Sequence, residues 1–376
     1  MTDRRMTGGG KNIRIIISGG GTGGHLFPAI SIANALKRME PSAEILFVGA
    51  EGRMEMQKVP EAGYDIEGLP VAGLLRSLTP GNISVAFKLF RSMLKARKIV
   101  RRFAPDVVVG VGGYASGPLL KQAQRINIPT LIQEQNSYAG VTNKLLAKNA
   151  AKICVAYDGM EKYFPKDKII KTGNPVRHTF ENLGALHSEA LEFFRLGSVN
   201  PVILVLGGSL GAGTVNSSIG GGIGHIEEAG VQMIWQTGSH YYDRMRELTE
   251  AAATQNIRVM GFINRMDLAY AAADVIISRA GAGTISELTL VGKPVILVPS
   301  PNVAEDHQTH NTMALVNRNA ALLVTDTDAP AKLISTALAL IKDTERRASL
   351  SENIKRMADR NADEVIAREV LKLVKR

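Results

Sequence analysis

The stretch Ile15-Ile16-Ile17-Ser18-Gly19-Gly20-Gly21-Thr22-Gly23-Gly24-His25 decides how the rest of the chain is interpreted. It joins a short apolar run to a loop in which five of six positions are glycine, and Pro28 follows three residues later. The pattern predicts a buried parallel strand that leads into a helix beginning near Pro28. Backbone N–H groups of such a loop, with the positive end of the helix, favour a phosphate, a pyrophosphate or a sugar nucleotide. The imidazole of His25 at the rim suggests chemistry as well as binding.

At 376 residues, with 45% hydrophobic and 21% charged residues, the chain is long enough for two folded domains. Its one cysteine, Cys154, cannot form an internal disulfide, which fits a reducing compartment. The polar start of the sequence lacks the pattern of a signal peptide, and no run approaches the ~18 apolar residues of a membrane-spanning helix. We therefore expect a cytoplasmic protein that does not cross a membrane.

The net charge of +10 is concentrated in the first half of the chain. Residues 1–175 contain 25 basic and 13 acidic residues, and no Asp or Glu occurs between Glu67 and Asp106. The basic residues of that acid-free tract are Arg76, Lys88, Arg91, Lys95, Arg97, Lys98, Arg101 and Arg102. This half of the protein is therefore expected to meet an anionic partner.

Apolar strand-like runs alternate with helical stretches along the whole chain. The helical stretches include Ala29–Arg38 and Asn143–Lys148. The candidate strands are Arg14–Ser18, Glu44–Val48, Val107–Gly110, Thr130–Gln133, Lys152–Ala156, Ile169–Thr172, Val202–Leu206, Gln232–Gln236, Ile257–Gly261, Val275–Ser278, Val295–Val298 and Ala321–Val324. Continuous apolar strands separated by helices predict an α/β fold with parallel sheets that are covered on both faces.

The second half of the chain begins as the first does. Val202–Ala212 repeats the strand and glycine loop of Ile15–Gly24, 187 positions further on. Two such openings predict two similar α/β domains. The turn-forming segment Thr172–Pro175 marks the boundary, so the predicted domains are residues 1–175 and residues 176–376. The tail, roughly Ala331–Arg376, has a helical pattern, and we expect its last helix to return to the N-terminal domain.

The first loop also fits the weak dinucleotide signature G-x-G-x-x-G through Gly19, Gly21 and Gly24. A dinucleotide domain places an acidic residue after its second strand, and Glu51 stands somewhat late for that role. Two further glycine loops, at 110–118 and 207–211, are not needed by a nicotinamide enzyme. A nicotinamide oxidoreductase is therefore the minor alternative.

Thr284 and Glu287 follow a predicted strand and have the Thr-x-x-Glu spacing of a capping box. In one interpretation Thr284 caps a helix and Glu287 reaches back to its N–H. In the other, the same helix end receives a pyrophosphate, and Glu287 accepts hydrogen bonds from ribose hydroxyls. The sequence leaves both interpretations open.

Two polar loops also follow predicted strands, where open α/β sheets bind their ligands. In Asp306–Asn311, His307 and His310 lack a further partner at metal-site spacing, so a loop that contacts a sugar fits better than a metal site. In the other loop, Glu134 is either a solvated carboxylate or part of the site, and Asn136 can bond a sugar hydroxyl.

The segment Ile83–Phe103 predicts an amphipathic helix. Its apolar positions Ile83, Ala86, Phe87, Phe90, Met93 and Leu94 share one face, and its basic positions Lys88, Arg91, Lys95, Lys98 and Arg102 share another. Before it, Leu74, Leu75, Leu78 and Pro80 lie in a loop where they would be exposed. An anionic membrane surface fits this pattern, since basic side chains and inserted leucines together give reversible binding. Nucleic acid fits less well, because the tract lacks interleaved aromatics and no DNA-binding module is evident.

Taken in order, the motifs of the chain resemble those of the glycosyltransferase family 28 enzymes that add N-acetylglucosamine to lipid I in peptidoglycan synthesis. Any single motif is modest support, but the ordered set covers nearly the whole chain. The motifs are Gly20–His25, Gly110–Tyr114, Glu134–Asn136, Gly173–Arg177, Gly207–Gly211, Gly261–Ile263, Ser278–Glu287 and Asp306–Gln308.

The resemblance implies a GT-B architecture, in which two Rossmann-like domains face each other across a cleft. The C-terminal domain would bind UDP-GlcNAc and the N-terminal domain the acceptor, lipid I. The implied UDP-GlcNAc contacts are Thr22, Gly23 and Gly24 on the diphosphate side, Asn136 and Gln308 on the GlcNAc, Ser209 on a phosphate, Arg177 and Ile263 near the uracil, Ala282, Gly283, Thr284, Ile285 and Ser286 around the diphosphate, and Glu287 on the ribose.

The implied reaction is inverting and uses neither a cofactor nor a metal ion. A base removes the proton from the C4 hydroxyl of the muramoyl sugar as UDP leaves, which gives lipid II. His25 is the candidate base, because an unperturbed imidazole titrates near neutrality. The family often has His before Glu-Gln-Asn, and here that residue is Gln133, so no catalytic role is assigned to this position.

The resemblance also implies a peripheral place on the cytoplasmic face of the cell membrane, contact with other cell-wall synthesis proteins, and a part in cell shape and division. Three further alternatives stay open at this point. They are another UDP-sugar:glycolipid transferase, a sugar-nucleotide epimerase and a non-catalytic UDP-sugar sensor.

Overall fold

The fold is that of a computed structural model, which describes residues 12–21, 23–71, 81–176, 182–208, 211–303 and 306–374, with the path of the chain alone over 81–86. Its strands form two sheets, and every pairing within them is parallel. The strands are β1 (Arg14–Ser18), β2 (Glu44–Ala50), β3 (Asp65–Leu69), β4 (Val107–Gly110), β5 (Thr130–Glu134), β6 (Lys152–Val155), β7 (Ile169–Lys171), β8 (Val202–Leu206), β9 (Gln232–Gln236), β10 (Ile257–Met260), β11 (Val275–Ser278), β12 (Val295–Leu297) and β13 (Leu322–Leu323).

Helices connect most of the strands. They are α1 (Gly23–Met39), α2 (Glu55–Glu61), α3 (Gly81–Phe103), α4 (Ser116–Arg125), α5 (Val141–Ala147), α6 (His187–Phe193), α7 (Gly213–Gly221), α8 (Ile223–Glu228), α9 (Tyr242–Ala251), α10 (Met266–Ala272), α11 (Ala282–Val291), α12 (His307–Val316), α13 (Ala329–Lys342), α14 (Thr344–Lys355) and α15 (Ala362–Lys372). Short 3-10 turns occupy Met160–Lys162, Lys166–Lys168 and Leu183–Leu186.

The chain divides into two compact units, Met1–Pro175 with Asn361–Arg376, and Val176–Arg360. The first unit holds a seven-stranded sheet in the order β3-β2-β1-β4-β5-β6-β7. One of its core clusters combines β1, with Ile15 and Ile17, α1, and Ile366 of α15. Arg38 of α1 also bonds Asp363 of α15 at 2.8 Å. The last helix is thus part of the core of the first unit.

The second unit repeats this plan with a six-stranded sheet in the order β10-β9-β8-β11-β12-β13. In both sheets the strand order reverses beside the first strand of the unit, between β1 and β4 and between β8 and β11. Ligands of open α/β sheets bind at the carboxyl ends of such strands. The glycine loops of the sequence follow these strands. The predicted class, two Rossmann-like α/β domains with parallel sheets, is confirmed.

Two predictions about elements are wrong. The first helix begins at Gly23 and not near Pro28, which lies in its second turn; the buried Leu26, Ala29 and Ile32 hold that turn although Pro28 donates no backbone hydrogen bond. The edge strand β3 was absent from the prediction because only two of its five residues are buried, so its sequence lacks a strong apolar pattern. Other strand and helix ends differ from prediction by a few residues.

Candidate active site

The first glycine loop is held by Glu55, the first residue of α2. Both carboxylate oxygens accept the N–H of Gly21, at 3.0 and 3.1 Å, and Oε1 also accepts the N–H of Ala50 at 3.0 Å. The Glu55 side chain is fully buried. The N–H of Gly21 is thus bonded to a carboxylate of the protein, and the predicted phosphate contacts of this loop, Thr22, Gly23 and Gly24, stay predictions.

The loops after β1 and β4 touch each other, and His25 lies where they meet. A Cβ at Gly113 would overlap the carbonyl oxygen of Gly20. A Cβ at Gly112 would lie 2.6 Å from Cδ2 and 2.8 Å from Nε2 of His25. Glycine is thus required at both positions, and it lets the half-buried imidazole rest on the backbone. His25 and its neighbours Gly23 and Gly24 lie in the first turn of α1, at the switch point of the sheet, where the strand order reverses between β1 and β4.

Gln133 belongs to a buried amide network at the end of β5. Its Nε2 donates to Oδ1 of Asn174 at 2.9 Å, and Nδ2 of Asn174 donates to the carbonyl of Gln135 at 2.9 Å. All three side chains are buried. A side-chain amide is not basic enough to act as the general base, so Gln133 has no catalytic role of that kind. Its hydrogen bonds with Asn174 and Gln135 instead hold the loop that follows β5 in place.

Glu134 is buried and not solvated, so that interpretation of the sequence is wrong. Its Oε1 accepts the backbone N–H and Nδ2 of Asn136 at 3.1 and 3.3 Å. Its Oε2 accepts the N–H of Gly140 at 3.0 Å and Nδ2 of Asn143 at 2.8 Å. Burial raises the pKa of Glu134 against the opposing effect of these hydrogen bonds. Glu134 thus shapes the loop that presents Asn136.

In the second unit, α11 begins at Ala282 with Gly281 in an extended conformation before it. The N–H groups of Ala282, Gly283 and Thr284 lack a carbonyl four residues back within the helix, whereas Ile285 N–H bonds the carbonyl of Gly281 at 2.9 Å. Ile285 also packs its side chain in the core. Neither the N–H nor the side chain of Ile285 is therefore placed to bind a diphosphate, and the N–H groups of the three residues before it are the better candidates. Ser286 Oγ bonds the carbonyl of Ala282 at 3.0 Å.

The capping-box interpretation of Thr284 and Glu287 is wrong. Gly281 is the cap, Thr284 is the third residue of the helix, and no side chain caps this end. Glu287 instead accepts a hydrogen bond of 3.2 Å at Oε2 from the hydroxyl of Tyr270. Burial and the nearby Glu287 carboxylate raise the pKa of Tyr270, which keeps its hydroxyl protonated as a donor.

Gln308 lies in the first turn of α12 and connects two loops. Its Oε1 accepts the N–H of Ala280, after β11, at 3.2 Å and the N–H of Ser300, after β12, at 2.9 Å. The amide oxygen is thus used within the protein. Nε2 is the atom of Gln308 that can donate to a sugar.

An ion pair that the sequence did not reveal lies beside these loops. Arg279 Nη1 is 2.5 Å from Oδ1 of Asp326, and Oδ2 of Asp326 accepts the hydroxyl of Thr214 at 2.8 Å. Arg279 also bonds the carbonyls of Val298 and Pro299 at 3.0 and 3.2 Å. The partners are far apart in sequence, so no local spacing could have indicated them.

The remaining predicted residues give less structural information. Ile263 is buried in the core, and its N–H donates to Oε1 of Gln236 at 3.3 Å, so it could touch a nucleotide only through its backbone. Thr22, Arg177 and Ser209 lie outside the described residues. Within the described ranges, no three His, Cys, Asp or Glu side chains are grouped so that they could hold a metal ion.

Two family models match this chain. The glycosyltransferase family 28 N-terminal domain matches residues 15–155, and the glycosyltransferase family 28 C-terminal domain matches residues 202–366. The UDP-N-acetylglucosamine--N-acetylmuramyl-(pentapeptide) pyrophosphoryl-undecaprenol N-acetylglucosamine transferase of Phocaeicola vulgatus is 59% identical over 96% of this chain and 97% of its own. The chain belongs to glycosyltransferase family 28.

Further relatives agree with membership in family 28. The transferase of the same name from Bacteroides fragilis is 57% identical over 99% of this chain and 98% of its own. Among solved structures, MurG of Acinetobacter baumannii is 26% identical, with a TM-score of 0.76 over 96% of this chain and 100% of that one. UDP-GlcNAc 2-epimerase from Neisseria meningitidis, at 15% identity and a TM-score of 0.67, shares the fold alone.

Family 28 membership confirms the resemblance that the ordered motifs indicated, and makes the chain a glycosyltransferase with a GT-B fold. The nicotinamide alternative is wrong. Glu51, its required ribose acid, forms an ion pair with Lys95 at 2.7 Å, and the N–H of Gly21 is bonded to Glu55. Both groups are therefore used for internal contacts.

Proposed function

We propose that this family 28 transferase moves GlcNAc from UDP-GlcNAc to the C4 hydroxyl of the muramoyl sugar of lipid I, which gives lipid II. The observation that carries the proposal is the 59% identity, over 96% of the chain, to a transferase whose name states this donor and this acceptor. The geometry of each unit is consistent with half of the task. The first unit offers a base at its switch point, and the second offers a helix end that can bind a diphosphate.

On the acceptor side, His25 is the proposed base. Its imidazole lies at the carboxyl edge of β1 and β4, where the sheet order reverses. It takes the proton of the C4 hydroxyl, and the oxygen forms a bond to C1 of GlcNAc. The bond between C1 and the phosphate oxygen breaks, UDP leaves with the electron pair, and the anomeric configuration inverts.

On the donor side, the N–H groups of Ala282, Gly283 and Thr284 point out of the start of α11 and receive the diphosphate. The helix dipole adds positive potential there, which stabilises the charge that grows on the leaving UDP. Glu287 accepts hydrogen bonds from the ribose hydroxyls, and Nε2 of Gln308 bonds the GlcNAc. We propose that this set works without a metal ion.

The membrane contact is proposed on α3. Phe87, Phe90 and Leu94 are 60%, 61% and 52% exposed, and they form an apolar stripe next to the exposed basic residues Lys88 and Arg91. Each basic residue near an anionic bilayer contributes ~1 kcal/mol, and the apolar stripe adds insertion. No helix in the described parts of the chain is long and apolar enough to cross a membrane. We propose that attachment is peripheral, on the cytoplasmic face where lipid I presents its sugar.

An apolar groove beside the stripe supports the same assignment. It has a volume of about 380 Å³ and is lined by Leu89, Met93, Tyr114, Pro118 and Leu145, among others. Tyr114 and Pro118 belong to the chain just after the loop that contacts His25. The groove is thus suited to apolar groups of a lipid-linked acceptor whose sugar reaches the base.

The proposed reaction is tested by mixing the protein with UDP-GlcNAc and a short-chain lipid I analogue. The expected product is a β-linked GlcNAc–MurNAc disaccharide, formed at equal rates with and without EDTA. Transfer to another glycolipid in preference to the lipid I analogue would support the related-transferase alternative. Epimerised UDP-sugar formed without acceptor, or donor binding without turnover, would contradict the proposed reaction.

A further inference from the structure

The buried carboxylate of Glu55 has no part in the reaction as described so far. We propose that Glu55 is a positioning residue of the transfer reaction, whose carboxylate occupies the anion site of the first glycine loop and so holds His25 against Gly112. This proposal rests on the proposed role of His25.

The hydrogen bonds of Glu55 join two strand ends. Gly21 follows β1 and Ala50 ends β2, and their N–H groups converge on Oε1 of Glu55, each at 3.0 Å. A fully buried carboxylate is costly unless it is hydrogen-bonded, and hydrogen bonds to a charged group are stronger than neutral ones. The loop and the carboxylate therefore stabilise each other.

The neighbouring glycines show that the local sequence is built around this side chain. A Cβ at Gly20 would overlap the Glu55 carboxylate, and a Cβ at Gly49 would lie 2.6 Å from Cγ of Glu55. Two glycines thus leave the space that the side chain fills. A carboxylate in this position also repels a second anion, so Gly21 N–H is closed to a substrate phosphate.

The position of the first glycine loop also determines where the His25 imidazole lies, because the loop and the imidazole both contact the loop after β4. The carbonyl of Gly20 touches Gly113, and the imidazole of His25 rests on Gly112. Gly20 and Gly21 lie just before α1, and His25 is in its first turn. A loop that loses its bond to Glu55 can shift, and a shift there moves the imidazole relative to the acceptor hydroxyl.

The test compares Glu55→Ala and Glu55→Gln with Val59→Ala. Val59 is buried on the same helix α2, so its variant disturbs the packing of that helix without removing the carboxylate. We expect Glu55→Ala to lower kcat about 100-fold, the cost of misplacing a reacting group by about 1 Å. The KM for UDP-GlcNAc, most of whose proposed contacts lie in the second unit, changes much less than kcat. Gln can accept the two N–H groups on one oxygen, so Glu55→Gln restores part of the loss, and Val59→Ala keeps kcat.

Amide hydrogen exchange gives a readout that does not depend on activity. Gly21 and Ala50 should exchange faster in both Glu55 variants than in the wild type and in Val59→Ala. Three results would each overturn the proposal. They are a kcat of Glu55→Ala equal to that of the wild type, a loss of kcat in Val59→Ala as large as in Glu55→Ala, and an exchange rate at Gly21 that is unchanged in the Glu55 variants. If Glu55→Ala does not fold, the partial loss and faster exchange in Glu55→Gln decide it.

The two proposals fail in different ways. A wild type that turns over no lipid I analogue contradicts the proposed function, and if Gly21 exchange is also unchanged in the Glu55 variants the positioning role is lost as well. A wild type that turns over the analogue while Glu55→Ala matches it contradicts the positioning role alone.

Discussion

The hydroxyl of Tyr270, which is fully buried, donates a hydrogen bond of 3.2 Å to Oε2 of Glu287 on α11. This bond fixes the carboxylate that we propose for the ribose hydroxyls of the donor. Tyr270→Phe keeps the ring in the core but removes this donor, so the carboxylate loses one of the contacts that orient it. We expect the Kd for UDP-GlcNAc to rise about fivefold, since one hydrogen bond contributes about 1 kcal/mol. Isothermal titration calorimetry with UDP-GlcNAc measures this Kd in the wild type and in the variant.

Glu287→Gln is the companion variant for that prediction. It should weaken UDP-GlcNAc binding more than Tyr270→Phe, because it removes a charged acceptor and not only its orientation. An unchanged Kd in both variants would show that Glu287 does not contact the donor.

Gln308 offers a test that separates folding from binding. Gln308→Glu can still accept the N–H groups of Ala280 and Ser300, so we expect the thermal midpoint to stay close to that of the wild type. It replaces the Nε2 donor with a negative oxygen near the proposed sugar and diphosphate, so donor affinity should fall by roughly tenfold. Gln308→Ala should lower both donor affinity and thermal midpoint. A Gln308→Glu variant that binds UDP-GlcNAc like wild type would remove Gln308 from the donor site.

Glu134 gives a pH prediction for stability. Burial raises its pKa in the folded chain above the ordinary value of 4.5. The stability that it contributes is therefore fully present below the unfolded pKa and is lost as pH rises through the folded pKa, at no more than ~1.4 kcal/mol per pH unit. Glu134→Gln removes this titration. The wild-type free energy of unfolding, minus that of the variant, should decrease as pH rises above 4.5.

Urea unfolding followed by circular dichroism at several pH values measures that difference. A difference that increases with pH would mean that the four hydrogen bonds to Glu134 lower its pKa below that of the unfolded chain.

The apolar stripe on α3 gives a prediction for membrane binding. Replacing Phe87 and Phe90 by Ser should abolish sedimentation with anionic vesicles, while turnover of a short-chain soluble acceptor stays unchanged. Phe193→Ser is the matched control, since Phe193 is 53% exposed in the second unit. High salt should weaken binding of the wild type, because the basic residues act through screened charges. Vesicle binding that survives the double substitution, or tighter binding to nucleic acid than to vesicles, would contradict this assignment.

Most of the fold could be predicted from local sequence. The strands β1, β4, β8, β9 and β11 are continuous apolar runs that end at glycine or polar turns, and their bounds match the prediction. Edge strand β3 and the start of α1 were missed. Strand β3 has only two buried residues and hence no strong apolar pattern, whereas the first turns of α1 are held by buried side chains on both sides of Pro28.

The candidate site was predicted only in outline. Its loops follow strand ends, so their place at the switch points could be inferred from the glycines. The partners within the site could not be inferred, since Glu55 lies 34 residues from Gly21 and Tyr270 lies 17 residues from Glu287. At Thr284 a familiar spacing was misleading, because Gly281 is the N-cap of the helix and the hydroxyl of Tyr270 binds the Glu287 carboxylate.

The central claim is that His25 supplies the base while the second unit binds the donor. Its most direct test is the steady-state turnover of His25→Ala with UDP-GlcNAc and a short-chain lipid I analogue, measured beside the Kd for UDP-GlcNAc. General-base catalysis contributes about 10²–10⁴-fold, so we predict a loss of kcat in that range with an unchanged donor Kd. A variant with near-normal turnover and normal donor binding would contradict the assignment of His25.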